Sequence, residues 1–96
     1  MDRAFKALAD PTRRRILSLL RAEDMTAGHI AAKFPVAFAS VSHHLNVLKE
    51  AGLVLTTREG QHIRYSLNTT AFQDFLAHFI ELVPGRRVRK RGKSDA

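Results

Sequence analysis

The sequence predicts a mainly α-helical domain that carries one small β-hairpin. Three observations support this. Apolar residues recur at helical spacing through the first half of the chain. The period switches to alternation after Gly52. A segment rich in phenylalanine then returns to helical spacing. With 96 residues the chain has room for one domain. It is 45% hydrophobic and 26% charged, enough for a core and unlike a disordered composition. A body this small buries a modest share of its surface, so pairing with a second copy is one way to bury more.

The first helix is expected over Asp2 to Leu8, with Phe5 and Leu8 on one face. "ADPT" then restarts the chain. Asp10 offers an N-cap oxygen, and Pro11 takes the first helical position, where a missing N–H is tolerated. Ile16, Leu17, Leu19 and Leu20 form the buried side of this second helix, which ends near Ala22. A third helix opens after Met25 with Thr26 as its cap and carries Ile30, Ala31 and Phe34 inward. Gly28 weakens its start. Pro35 closes it, because the residue before a proline is steered out of helix. The fourth helix runs from Phe38 to Glu50 and ends at Gly52 in the left-handed position. About four residues separate it from the third, the length of a helix-turn-helix connection.

In "LVLTTREGQHIRYSL", Ile63, Tyr65 and Leu67 point one way and His62, Arg64 and Ser66 the other, with a turn at "REGQ". The last helix places Phe72, Phe75, Leu76, Phe79, Ile80 and Val83 on one stripe and ends at Pro84 and Gly85. With a short strand allowed between the second and third helices, the order is that of a winged helix-turn-helix. The chain divides into a DNA-binding and dimerisation domain over residues 1–84 and a basic tail over 85–96, whose composition is that of a disordered end.

The formal charge is +7, unevenly spread. Arg86, Arg87, Arg89, Lys90, Arg91 and Lys93 stand against Asp95 in the tail, leaving the body near neutral. Such a tail points to a polyanion, with nucleic acid the commonest. The chain has no cysteine, which excludes disulfides and thiolate metal sites. The N-terminal stretch lacks the apolar core of a signal peptide, and no apolar run is long enough to span a bilayer. A cytoplasmic protein without membrane insertion is the expectation.

His43 and His44 raise the question of a metal. Consecutive helical residues diverge by about 100°, so adjacent imidazoles do not chelate one ion, whereas partners four apart do. The partners four residues on are Val47 and Leu48. No metal and no cofactor are expected, although His29, His62 and His78 leave open a site assembled across two chains. The wheel instead gives the fourth helix a polar face suited to a DNA groove. Small residues let the backbone approach, and donors and acceptors read bases. Phe38, Ala39, Ser40, Ser42, His43 and Asn46 are the candidate recognition residues, with Phe38 either packed inward or set against a thymine methyl. An ordinary amphipathic helix explains His43 and Asn46 about as well, and the order of elements decides between the two. Arg58, Gln61, His62 and Arg64 would form the wing, reaching the backbone or minor groove. Nothing spaces a nucleophile with a base, so no enzyme is expected.

"FKALADPTRRRILSLL", "MTAGHIAAKF", "SVSHHLNVLKEAGLV" and "REGQHIRYSLN" resemble successive blocks of the ArsR-type winged helix-turn-helix repressors. The resemblance implies a homodimer, joined by the first and last helices, that inserts its fourth helix into the major groove. Two departures stand out. Where metal-sensing members have Cys-x-Cys, this chain has Thr26 and Gly28. Where others have Asp and His, it has Thr69 and Ala71. It is therefore similar to the subgroup without metal ligands, the SdpR-like autorepressors. Relatives often carry "S-x-P-[ST]-V-S" at the entrance of the fourth helix. Here "AFAS" precedes Val41, and Ala37 cannot cap as serine does, a loss of about 0.5–2 kcal/mol.

The apolar stripe of the last helix is long for a helix that covers a small wing. Phe5, Leu8, Phe72, Phe75, Phe79 and Val83 are the candidate dimer contacts. The expected function is repression of transcription by a homodimer on a near-palindromic operator of double-stranded DNA. A regulatory protein partner is one route to its control. An RNA-binding winged helix, a protein-docking module and a metal-responsive repressor with a non-standard histidine site are the alternatives.

Overall fold

The computed structural model describes residues 2–85. The basic stretch 86–96, expected to meet a polyanion, lies outside the described residues. The elements are α1 (Asp2–Leu8), α2 (Pro11–Ala22), β1 (Met25–Thr26), α3 (Ala27–Ala31), α4 (Phe38–Glu50), β2 (Val54–Glu59), β3 (His62–Leu67) and α5 (Thr69–Ile80). This is the expected winged helix-turn-helix order.

Local chemistry fixes most boundaries. Asp10 caps α2 by accepting the Arg13 N–H at 3.1 Å, with Pro11 next in line. Thr26 caps α3 through the His29 N–H at 3.2 Å. Asn68 caps α5 by accepting the Ala71 N–H at 3.2 Å. Gly52 follows α4 with a φ of 78°, which glycine adopts without a Cβ penalty.

Two boundaries differ from expectation. α3 ends at Ala31, and the chain tightens through bonds from Lys33 N–H to Ile30 O and from Phe34 N–H to Ala31 O. Pro35 denies residue 34 a helical backbone, and the tighter turn still buries the Phe34 ring. The connection to α4 thus covers residues 32–37, longer than expected. At the other end α5 stops at Ile80. Bonds from Leu82 N–H to Phe79 O and from Val83 N–H to Ile80 O close it, so Val83 stands beyond the helix, held out of helical conformation by Pro84.

The three strands form one antiparallel sheet in the order β1-β3-β2. Val54 opposes Leu67 at one end and Glu59 opposes His62 at the other. Gly60 and Gln61 make the two-residue loop. A φ of 61° at Gly60 alone has the sign pattern of a type II′ turn, whose twist suits a hairpin. Ile63, Tyr65 and Leu67 share a face as expected, but only Tyr65 is buried, because the hairpin runs out past the helices.

One core joins every layer: Ala4 and Ala7 of α1, Ile16, Leu17 and Leu20 of α2, Ile30 of α3, Val41, Leu45 and Leu48 of α4, and Phe75 of α5. Leu53, Val54 and Tyr65 close it from the sheet side. Leu19, expected inside, is half-buried. No polar or charged residue is buried among the described residues. No helix there is long and apolar enough to cross a membrane.

Candidate nucleic-acid interface

Packing sets the rotation of α4. Val41, Leu45 and Leu48 are fully buried, so Ala39, His43 and Asn46, spaced four and three apart, face solvent together. Ser40 is exposed on one flank and Ser42 half-buried on the other. Phe38 points outward and is 57% exposed. Ala37 makes no side-chain bond to the opening turn.

The histidine doublet diverges, as the offset of about 100° between consecutive helical residues requires. His43 is exposed, whereas His44 turns toward α2. There the Arg13 Nη1 lies 3.0 Å from His44 Nδ1. The same guanidinium donates from Nε to the Ala7 carbonyl at 2.7 Å and from Nη2 to the Lys6 carbonyl at 3.1 Å. Asp10 Oδ2 sits 4.0 Å from the His44 ring nitrogen. Partial burial tends to raise the Asp10 carboxyl. The backbone N–H of Arg13, the neighbouring His44 and Arg13 charges and the Thr12 N–H outweigh it and hold Asp10 below its ordinary value. Arg13 therefore ties the end of α1 to the helix that carries the exposed face. Among the described residues no three His, Asp or Glu side chains gather as a metal-holding group.

The wing candidates do not act as one group. Arg58 opposes Ile63 on one face of the hairpin. His62 and Arg64 share the other face with Glu59 and Thr57. Arg58, Gln61 and His62 are exposed. Arg64 is engaged within the chain, its Nε at 2.9 Å from Glu59 Oε1 and its Nη1 at 3.3 Å from the Asp24 carbonyl. Sequence alternation gives the faces, but it cannot show this pairing.

The aromatic residues of α1 and α5 form a row. Phe5 meets Phe75 edge-on at 4.9 Å, and Phe79 lies 6.2 Å from both rings. Phe72 is 6.5 Å from Phe75. Phe75 is 7% exposed and so filled by its own chain, whereas Phe79 is 46% exposed. Leu76, Leu82 and Val83 are also open. Leu8 and Phe72 line a separate groove with Leu17 and Leu67.

Sequence reading missed three residues. Arg13 is one of three consecutive arginines, and nothing in that run marks the one that bridges to His44. Asn68 also donates from Nδ2 to the Gly52 carbonyl at 2.9 Å, joining the start of α5 to the end of α4. Its position before "TT" is a capping signal that could have been read. Val36, 48% exposed in the connection, carries no periodic signal.

A short connection between two helices, a bare small-and-polar face on the second of them and a flanking hairpin define a DNA-binding regulator of the winged helix-turn-helix class. A family model described as a helix-turn-helix domain matches residues 8–57. The transcriptional repressor SdpR of Bacillus subtilis (strain 168) is 51% identical over 83 residues, 86% of this chain and 92% of that protein. A crystal structure of a possible transcriptional regulator for arsenical resistance aligns with a TM-score of 0.75 at 36% identity, over 80% of each chain. An ArsR family transcriptional regulator aligns with a TM-score of 0.72 at 32% identity, over 84% of this chain and 92% of that one. The chain belongs to the ArsR-type winged helix-turn-helix transcriptional repressors. Its relatives are regulators of transcription, not enzymes.

Proposed function

We propose that the chain acts in the cytoplasm as a homodimer that occludes a near-palindromic operator. The observation that carries this reading is the open face of α4, where Ala39, His43 and Asn46 stand bare while the opposite side is fully packed. Inserted in the major groove, His43 and Asn46 read base edges, and Ser40 and Ser42 meet the backbone or bases at the helix entrance. Arg58, Gln61 and His62 reach the adjacent backbone or minor groove. Arg64 contributes less, because Glu59 already neutralises it.

The second copy joins through α1 and α5. Phe79, Leu76 and Val83 offer the open surface, Phe5 and Phe75 support it from within, and Leu8 and Phe72 would join from the groove they line. A two-fold axis there sets the two α4 helices about 34 Å apart, one turn of DNA. Residues 1–84 form the DNA-binding and dimerisation unit, and the tail 85–96 adds nonspecific attraction. Thr26, Gly28, Thr69 and Ala71 replace the family's metal ligands, so either no small-molecule effector acts or a protein partner sequesters the dimer.

Selection of genomic fragments by the purified protein tests the whole reading. A recovered palindrome with two half-sites one turn apart is the expected result. Preference for structured RNA over duplex DNA in competition would replace this reading with an RNA-binding one. Release of DNA by zinc or arsenite would overturn metal-free control. His43→Ala and Asn46→Ala are expected to weaken operator binding more than binding to random DNA. Equal losses would make both phosphate contacts.

A further inference from the structure

Three large apolar side chains at the approach to α4 are placed differently. Phe34 turns inward, buried in the core with the Arg15 guanidinium 4.8 Å from its ring centre. Val36 and Phe38 turn outward, 48% and 57% exposed. Val41, Leu45 and Leu48 already close the core beneath α4, so the fold makes no use of either. Of the other exposed large apolar side chains, Leu55 and Ile63 lie on the hairpin, and Leu76, Phe79, Leu82 and Val83 belong to the α5 end proposed for the second copy. Phe38 stands apart from them, as the first residue of α4 and beside the face of Ala39, His43 and Asn46.

A phenyl ring has no donor or acceptor for a base edge and no charge for a phosphate. The N-terminal residues of a recognition helix are those that come nearest the base edges. Of the groups that B-DNA displays in the major groove, the C5 methyl of thymine is the apolar one. We infer that Phe38, flanked by Val36, is a specificity residue that packs on thymine methyl groups, one step in each operator half-site. The inference rests on α4 being the DNA-reading helix and adds to it the base that its entrance selects. Burial against the methyl supplies what the fold withholds from this ring. No hydrogen bond is involved, so the preference belongs to the methyl and not to the A·T pair as such.

Uracil provides the test, since it differs from thymine in the duplex by that methyl alone. In the selected operator, each thymine is replaced singly by uracil and affinity is measured for the wild-type chain, Phe38→Ala, Phe38→Leu and Asn46→Ala. The wild type is expected to lose about fourfold at one thymine position per half-site, the worth of one buried methyl. Phe38→Ala should bind thymine and uracil operators alike, and Phe38→Leu should keep part of the difference. Asn46→Ala should bind more weakly yet keep the full uracil penalty. Circular dichroism and melting check that Phe38→Ala folds, as expected for an exposed position. A wild type indifferent to every uracil, or a Phe38→Ala chain with the same penalties, overturns the inference while leaving operator reading intact. A chain that selects no DNA overturns both.

Discussion

Arg13 shows how much one side chain can hold. Its three guanidinium contacts end on two carbonyls of α1 and the ring of His44, so α1, α2 and α4 share one anchor. Arg13→Ala is expected to cost about 1–3 kcal/mol in urea unfolding, because two carbonyls at the end of α1 lose their donor. Arg13→Lys should recover little, since an ammonium cannot span acceptors that a planar fork reaches together. An unchanged midpoint would make the cluster incidental. Asp10 adds a pH dependence of definite sign. Its carboxyl lies below its ordinary value in the folded chain, so its stabilisation is complete above about pH 4 and is lost as pH falls through the lowered value. Asp10→Asn keeps a capping oxygen but not the charge, and should flatten that acid limb in melting curves. Neither residue's tertiary role was legible in the sequence. Asp10 was readable as a cap because capping is local, whereas the reach from Arg13 to His44 crosses three elements.

At the scale of elements, legibility follows the range of the interaction that sets each boundary. α1, α2 and α4 have the expected limits because proline, glycine and capping residues mark them within a turn. α3 and α5 end early because Pro35 and Pro84 act through the residues ahead of them, and the last turns tighten instead of continuing. The hairpin faces were readable from alternation, while the Arg64–Glu59 pair depended on register. The stripe of α5 is legible as apolar, but periodicity cannot divide its rings between the chain's own core and a second copy. Phe75 belongs to the core, and Phe79 is left open. Phe79→Glu should therefore keep the fold and raise the dimer dissociation constant by about two orders of magnitude or more in sedimentation equilibrium, because it places an unpaired carboxylate on an apolar contact. A dimer that survives puts the interface elsewhere.

Over the whole molecule, net charge is spread unevenly along the chain. The body carries little net charge, and the excess lies in residues 86–96. On the proposed reading, specificity belongs to α4 and the wing, and salt-dependent attraction to the tail. Deleting 86–96 should lower the slope of log affinity against log salt by about 0.9 for each tail cation seated on a phosphate, while the preference for operator over random DNA is kept. An unchanged slope would detach the tail from binding.

The missing cap at Ala37 bears on the kinetics and thermodynamics of recognition. With no side chain to tie down its first amides, the entrance of α4 is the part of that helix most ready to fray, and hydrogen exchange should run fastest there in the free protein. On the proposed docking of α4 in the groove, binding must wind this turn as well as seat it, so part of the attraction is spent on ordering. Ala37→Ser should prewind the entrance, slow exchange at Ala39 and Ser40, and tighten binding to operator and random DNA by the same factor. A gain confined to the operator would mean that residue 37 itself reads sequence.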